Sequence, residues 1–283
     1  MLPEPGDYQV SRFGAARLNG VQTEGISFRF SEALVRRPGK SVVNGLSSVD
    51  RGRPDVDLFQ AEHQIYISAL EQAGLKVTVL PPLEAFPDSV FIEDTALCLP
   101  QGTVILHPGT PSRSNEAGAT ATTFSSLEHK TQYIGPQGHV DGGDILVTDS
   151  VILVGLSHRT DRTGYEALKA ILNNWDYKVR AVHTPENVLH FKSDCCVLDS
   201  ETVLATSRLS GAECFTPFRV LVVPAGEEAA ANAIRVNDTV LLSAGFPATA
   251  DLIARENYQI ELVPTSQAAL LDGGLSCLSL RFG

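Results

Sequence analysis

Four stretches of the chain repeat one pattern of apolar and polar positions. In each stretch, two short β-rich apolar runs flank a tight polar turn, which is typical of a β-hairpin. The spacing between the stretches is roughly 40 to 50 residues, a period at which repeated structural units are found. The predicted hairpins span residues 95–107, 144–155, 195–205 and 233–243.

Amphipathic helical patterns occur between these hairpins, and each leads into a further β-type run. The predicted helices span residues 56–73, 165–175 and 247–257, and the runs that follow them span 75–80, 177–182 and 259–263. The repeated unit is therefore hairpin, helix and strand, and a fifth copy is expected around residues 26–43. Because one unit cannot bury its own apolar face, the copies should stack or form a ring. The alternative is an unrelated α/β sheet whose hairpins resemble one another by chance.

Length and composition indicate a globular protein. The 283 residues are 43% hydrophobic and 19% charged, which suits one large domain or two small ones. Residues 1–25 are polar and Gly-rich and are interpreted as an N-terminal extension, which leaves residues 26–283 as a single domain. Residues 37–54 are rich in Gly, Ser and Arg, and such a long segment without a pattern suits a mobile lid.

Charge and hydropathy limit the expected partners. The formal net charge is -11 and the pI is about 5.1, which disfavours nucleic acid and anionic membranes as partners. An acidic surface is compatible with a cationic substrate, although solubility alone also explains it. No apolar run is long enough to cross a membrane, and no signal-peptide pattern is seen. We therefore expect a cytoplasmic protein.

Cysteine usage indicates free thiols. The five cysteines are odd in number and form no Cys-x-x-Cys pair, so neither a disulfide framework nor a structural zinc site is expected. Cys277 directly follows a turn that contains Gly273 and Gly274, with Asp272 just before it. A thiol in such a loop is a candidate nucleophile. The alternative is a small buried residue in a terminal strand.

Polar residues gather beside the apolar runs of several units. If residues 88–94 form a strand, alternation places Asp88 and Asp94 on one face and Glu93 on the other. Two further clusters occur at residues 138–144 and 189–194, and together they supply His139, Asp141, Asp144, His190 and Lys192. If the units form a ring, these clusters converge on one central site.

A thiol, a histidine and several carboxylates together suit a cationic, electrophilic carbon. A guanidinium is planar and always charged, and carboxylates bind it through paired hydrogen bonds. Carboxylates are the wrong lining for an ester or a peptide, whose transition state builds an oxyanion. Two simpler interpretations stay open: acidic turn residues are often solvated caps, and a His-Asp-Asp cluster can bind a metal.

Four motifs, in their order and spacing, resemble those of the dimethylarginine dimethylaminohydrolases. They are Phe-Ile-Glu-Asp at residues 91–94, Asp-Gly-Gly-Asp at 141–144, His-Phe-Lys-Ser at 190–193 and Leu-Asp-Gly-Gly-Leu-Ser-Cys at 271–277. Residues 111–113 and 155–159 resemble two further family stretches. The resemblance extends from about residue 26 to the C-terminus. It implies an α/β fold in the form of a five-bladed pseudosymmetric propeller around a central active site.

The resemblance also implies catalytic roles. Cys277 would be the nucleophile, His190 the general acid and base, and Asp141 the residue that orients His190. The activity would be hydrolysis of dimethylarginine or monomethylarginine to citrulline through a covalent thiouronium on the cysteine. The implied partner is a small cationic guanidino substrate, with no cofactor and no metal, and a homodimer is a possible assembly.

Eight further residues would bind the substrate by the same resemblance. Asp94 and Asp141 would hold the guanidinium nitrogens, and Arg159, assisted by Arg113, would bind the carboxylate. Asp88 would lie near the α-amine. Glu93 would support the pocket, Asp272 and Leu271 would line it, and Leu46 would reach over the substrate from the lid.

The residues leave three rival functions open. The first is hydrolysis of arginine or another small guanidine, because Gly274, His158 and Phe191 stand where relatives can carry different residues. The Phe-Ile-Glu-Asp motif favours the dimethylarginine form over the arginine deiminase form. The second rival is a relative that binds ligand without catalysis, and the third is a metal-dependent hydrolase.

Overall fold

Five three-stranded sheets with one common topology make up most of the protein. In each sheet the first two strands are antiparallel, and the second and third are parallel. The computed structural model describes residues 17–18, 21–22 and 25–283. The predicted N-terminal extension, residues 1–25, therefore lies almost entirely outside the described residues, apart from the paired strands β1 (Arg17–Leu18) and β2 (Val21–Gln22).

The strands of the five sheets follow one another along the chain, except in the first sheet. That sheet contains β17 (Ser279–Phe282), β3 (Glu32–Arg36) and β4 (Lys76–Leu80). The others contain β5 (Ala96–Leu99), β6 (Gly102–Ile105) and β7 (Thr131–Tyr133); β8 (Ile145–Val147), β9 (Ile152–Leu156) and β10 (Val179–His183); β11 (Cys195–Val197), β12 (Thr202–Ala205) and β13 (Arg219–Val222); and β14 (Ile234–Val236), β15 (Thr239–Ser243) and β16 (Gln259–Val263).

A helix joins the second strand to the third in four of the sheets, because a parallel pair needs a crossover connection. These helices are α1 (Val56–Gln72), α2 (Glu116–Ser126), α3 (Arg162–Asn174) and α4 (Pro247–Arg255), and the short α5 (Ser266–Ala269) comes later. In the β11–β13 sheet the connection contains only the 3-10 turn Glu213–Phe215. None of the helices that the structure describes combines the length and apolar character needed to cross a membrane.

Capping and apolar spacing explain where α1 begins and which face it buries. The Asp55 carboxylate accepts the Leu58 N–H at 2.9 Å and caps the first turn. Phe59, Tyr66 and Leu70 share one face and are fully buried in a core against the β3 sheet.

The first strands of the five sheets surround one axis. Strands β5, β8, β11, β14 and β17 all line a single central cavity of about 110 Å³. The sheets are therefore arranged as blades around a ring, which is one of the two arrangements that the repeat predicted. Each of these strands is preceded by a 3-10 turn: Ile92–Thr95, Gly142–Asp144, Phe191–Ser193, Glu228–Ala231 and Ser276–Leu278.

All four predicted hairpins and the three predicted helices are confirmed. The fifth unit is located where it was expected, but its hairpin partner comes from the other end of the chain. Strand β17 pairs with β3, with Leu280 opposite Leu34, and this pairing closes the ring. Helix α2 was not predicted, because its Gly- and Thr-rich sequence gives a weak apolar pattern around Ala117, Ala121 and Phe124.

Candidate active site

The 3-10 turns that precede the innermost strands bring the predicted polar residues together at one mouth of the ring. Asp94 lies within the first turn, Asp141 and His190 immediately precede the next two, and Cys277 lies within the last. A cavity of about 180 Å³ opens above them. It is lined by Leu46, Ser47, Ser48, Asp88, Phe91, Asp94, Arg113, Arg159, Leu189, His190, Leu271, Asp272, Gly273 and Cys277.

Cys277 is held in a tight turn at the cavity wall. Its N–H donates to the Gly274 carbonyl at 3.2 Å. A Cβ on Gly273 would lie 2.2 Å from the Phe91 ring, so only glycine permits this approach of the turn to the ring. Burial, together with the nearby carboxylates of Glu93 and Asp94, raises the pKa of the Cys277 thiol to about 11. The thiol is therefore neutral near pH 7.

His190 is paired with a fully buried carboxylate. Its Nε2 lies 2.9 Å from Asp141 Oδ2, and the other Asp141 oxygen accepts the Gly109 N–H at 2.7 Å. Burial lowers the pKa of His190, but the charge of Asp94, the bond to Asp141 and the charge of Asp144 together raise it to about 9. The ring is therefore protonated near pH 7 and can act as a proton donor.

Asp94 lies between a backbone N–H and a buried guanidinium. It accepts the Gly143 N–H at 2.9 Å through Oδ1 and the Arg113 Nη1 at 2.5 Å through Oδ2. Burial raises the pKa of Asp94, but the positive charges of His190 and Arg113 outweigh this effect and lower it to about 2. Asp94 is thus an anion at the cavity wall.

The two predicted arginines differ in their surroundings. Arg113 is buried and donates to Asp94, to Glu116 and to the Phe91 carbonyl, so its guanidinium is already surrounded by acceptors. Arg159 is partly exposed, is hydrogen bonded to Thr110 and lies 3.9 Å from an Asp141 oxygen. Both line the cavity, and their predicted contact with a substrate carboxylate stays a prediction.

The predicted lid lies over the cavity and is bonded to its rim. The Leu46 N–H donates to Asp88 at 2.8 Å, and the Ser48 N–H donates to Asp272 at 2.5 Å. Arg51 Nη1 donates to the other Asp272 oxygen at 2.9 Å. Asp88, Leu46, Leu271 and Asp272 all line the cavity. Their contacts with a substrate and the mobility of the lid stay predictions.

Glu93 faces away from this cavity and lines the central one instead. Its Oε1 accepts Lys192 Nζ at 2.6 Å and Arg281 Nη2 at 3.2 Å. The expected split, with Asp88 and Asp94 on one side and Glu93 on the other, is found. The reason given for it was wrong, because residues 92–95 form a 3-10 turn and not a strand.

Three of the residues could also hold a metal by distance alone. Asp94, Asp141 and His190 each present a ligand atom, and these atoms all lie within 4.8 Å of one another. His190 already bonds to Asp141, and Asp94 already accepts from Arg113. The predicted lack of a metal stays a prediction.

Comparison with known proteins decides the family. A family model described as N,N dimethylarginine dimethylhydrolase, eukaryotic, matches residues 57–206. The N(G),N(G)-dimethylarginine dimethylaminohydrolase of Pseudomonas aeruginosa is 37% identical over 254 residues, which cover 89% of this chain and 100% of that protein. The chain belongs to the dimethylarginine dimethylaminohydrolase family. The N(G),N(G)-dimethylarginine dimethylaminohydrolase of Streptomyces coelicolor is 32% identical over 252 residues, which cover 88% of this chain and 96% of that protein.

Solved structures of dimethylarginine dimethylaminohydrolases share the fold. A cysteine-to-serine mutant of the Pseudomonas aeruginosa enzyme, complexed with citrulline, superposes with a TM-score of 0.87 at 36% identity over 90% of this chain and 100% of that chain. A histidine-to-glycine variant of a dimethylarginine dimethylaminohydrolase, solved as an adduct with S-methyl-L-thiocitrulline, has the same TM-score. Its identity is 36% over 89% of this chain and 100% of that chain. The N-terminal domain of ArgZ, at 16% identity, covers 89% of this chain and 97% of its own with a TM-score of 0.80, which supports the fold alone. The predicted five-bladed α/β propeller is confirmed.

Three residues around this family site were missed by sequence reasoning. Glu116 and Arg281 pair with buried charges, and nothing in the sequence distinguishes them from other charged residues. Asn232 is different, because it lies just before β14 in the fourth hairpin repeat. Searching each repeat for a polar residue at this position would have found it.

Proposed function

We propose that this protein hydrolyses Nω,Nω-dimethyl-L-arginine and Nω-methyl-L-arginine to L-citrulline, releasing dimethylamine or methylamine through a covalent intermediate on Cys277. One observation carries the proposal: Cys277, His190 and Asp94 line one lid-covered cavity. The names and ligands of the relatives support the same chemistry.

Charge selects the substrate class. The guanidinium of the substrate would lie against Asp94, which carries a negative charge, with Asp141 behind His190. The same cation, placed beside Cys277, would favour loss of the thiol proton to solvent, because it offsets the neighbouring carboxylates. The thiolate would then form only when substrate is bound.

In the first half of the reaction, the Cys277 thiolate attacks the guanidinium carbon and forms a C–S bond. His190 gives its proton to the dimethylamino nitrogen, the C–N bond breaks, and dimethylamine leaves. The enzyme then holds a cationic S-alkylthiouronium and a neutral imidazole. Proton donation of this kind accelerates a reaction by about 10² to 10⁴.

In the second half, His190 takes a proton from water as the oxygen adds to the thiouronium carbon. The C–S bond then breaks and its electron pair returns to sulfur. The hydroxyl proton passes to solvent, and citrulline leaves. The cycle ends with a protonated His190 and a free Cys277, and Asp141 holds the ring in place throughout.

The test is the production of citrulline and dimethylamine by purified protein in the presence of a chelator, with dimethylarginine and arginine offered in parallel. We expect turnover of the methylated substrate. Cys277→Ser and His190→Gly should abolish or strongly reduce it, and near-normal activity of either variant would refute the role given to that residue. Ammonia release from arginine alone would move the protein to the deiminase side.

The assembly and the location also remain predictions. Light scattering after size-exclusion chromatography tests the homodimer, and fractionation of source cells tests the cytoplasmic location. Inhibition by the chelator would contradict the predicted absence of a metal.

A further inference from the structure

One of the five turns around the ring has no part in the reaction described above. The other four hold residues that the proposed chemistry uses. The remaining turn, Glu228–Ala231, ends at Asn232, whose side chain is buried. Asn232 lies two residues before β14, just as Asp94 lies two residues before β5 and Cys277 two residues before β17.

The amide of Asn232 is oriented by its neighbours. Its Oδ1 accepts the Ser276 N–H at 2.9 Å, and its Nδ2 lies 4.0 Å from the Cys277 sulfur. A backbone N–H can only donate, so the oxygen of the amide must face Ser276 and the NH₂ group must face the sulfur. The backbone of Gly274 packs closely against the same amide. A Cβ on Gly274 would lie only 2.5 Å from Cγ of Asn232.

We propose that Asn232 donates a hydrogen bond to the sulfur of Cys277 and stabilises the thiolate, both when it attacks and when it leaves. The inference rests on the proposed function. A separation of 4.0 Å is long for a thiol, which accepts hydrogen bonds weakly. An anionic sulfur is a stronger acceptor, and contacts of this kind tighten in the reacting complex.

An amide suits this position better than a cation. Besides burial, the charges of Glu93, on the side of the central cavity, and of Asp94 raise the pKa of the Cys277 thiol, and the charge of Lys192 lowers it. His190, Arg113 and Arg159 line the same cavity as Cys277. A further fixed positive charge at the sulfur would stabilise the thiolate but repel the guanidinium that the cavity has to bind. The amide donates a hydrogen bond without that repulsion.

The decisive variant is Asn232→Asp. It keeps the shape and the oxygen that accepts from Ser276, but it replaces the donor with an acceptor. We expect alkylation of Cys277 by iodoacetamide, followed by mass spectrometry between pH 7 and 9.5, to be roughly tenfold slower at each pH. The kcat for dimethylarginine should fall by at least the same factor without a rise in KM.

A matched control tests whether a carboxylate added away from the sulfur also slows alkylation. Asn187 is exposed and lines the larger cavity beside the site, as Asn232 does. Asn187→Asp makes the same chemical change without a contact to Cys277, and we expect its alkylation rates to equal those of the native protein.

Asn232→Ala removes the donor without adding a charge. If alkylation is native in the Ala variant and slow only in the Asp variant, the added charge explains the slow reaction, which overturns the proposal. Should the Asp variant fail to fold, native alkylation rates in the Ala variant overturn it equally. Alkylation needs no substrate, so a protein that ignored dimethylarginine would still give a clear answer about Asn232.

Discussion

Replacing Asp141 by asparagine removes the charge bonded to His190 while keeping nearly the same shape. The two side chains are 2.9 Å apart, and Asp141 is fully buried. Burial lowers the pKa of His190, but Asp94, Asp141 and Asp144 raise it from 6.5 to about 9. That change corresponds to about 3 kcal/mol in favour of the protonated ring.

An opposite charge at this separation moves a pKa by about 1 to 3. We therefore expect His190 in Asp141→Asn to titrate about 1 to 2 pH units lower than in the native protein, because the other carboxylates remain. At pH 8 at least about half of the rings would be neutral in the variant, so proton donation to the leaving amine would be reduced. The alkaline limb of the pH profile of kcat should shift to lower pH, following the lowered pKa of His190.

The assay is an NMR titration of the His190 Cε1–H signal in the free protein, assigned by its absence in His190→Gly. Asp251→Asn is the matched control, because Asp251 is exposed on α4. A native His190 that titrates near its ordinary value, or a variant that titrates with the native protein, would refute the reasoning.

The pair formed by His190 and Asp141 should also make the free energy of unfolding depend on pH. A raised pKa means that the stabilisation by protonated His190 is fully present below pH 6.5 and is lost as the pH rises through about 9. Urea unfolding should show the native protein losing stability across this window, and Asp141→Asn should show a shallower loss.

Three further substitutions test the lid, the buried charges and the glycine turn. Arg51→Met breaks the ion pair with Asp272; because Arg51 is about half exposed, we expect a few-fold rise in KM and a change in the free energy of unfolding below about 1 kcal/mol. Arg113→Met leaves two buried carboxylates without their counter-ion, and urea unfolding should show a loss of about 3 to 5 kcal/mol. Gly142→Ala places a Cβ 2.0 Å from a backbone carbonyl oxygen and should abolish activity and lower Tm, whereas Gly118→Ala, with open space around its Cβ, should retain both.

Much of the fold could be predicted because the repeat is local. Hairpins such as residues 144–155 and helices such as α3 are encoded by apolar spacing within a short stretch. The pairing of β17 with β3 could not be found in the same way, because it joins opposite ends of the chain. Helix α2 was missed because it is held by packing of Ala121 and Phe124 rather than by a strong helical pattern.

The position of the site could be predicted because the ring brings equivalent parts of all five repeats together. The innermost strand of every blade faces one axis, so the turn before it must open at one mouth of the ring, whatever residue it carries. Residues far apart in the sequence, such as Asp94 and Cys277, therefore meet because of their place in the repeat.

Partner choice inside the site follows from packing and not from spacing. The chain has 22 Lys and Arg residues and 33 Asp and Glu residues, and nothing local shows that Arg113 pairs with Asp94 and Glu116. This pairing matters for the chemistry, because the charges of His190 and Arg113 together lower the pKa of Asp94 and keep it ionised at the cavity wall. A cavity that has to attract a cation and still form a thiolate needs its fixed positive charges behind the carboxylates. Arg113 is placed there, and the neutral amide of Asn232 lies 4.0 Å from the Cys277 sulfur.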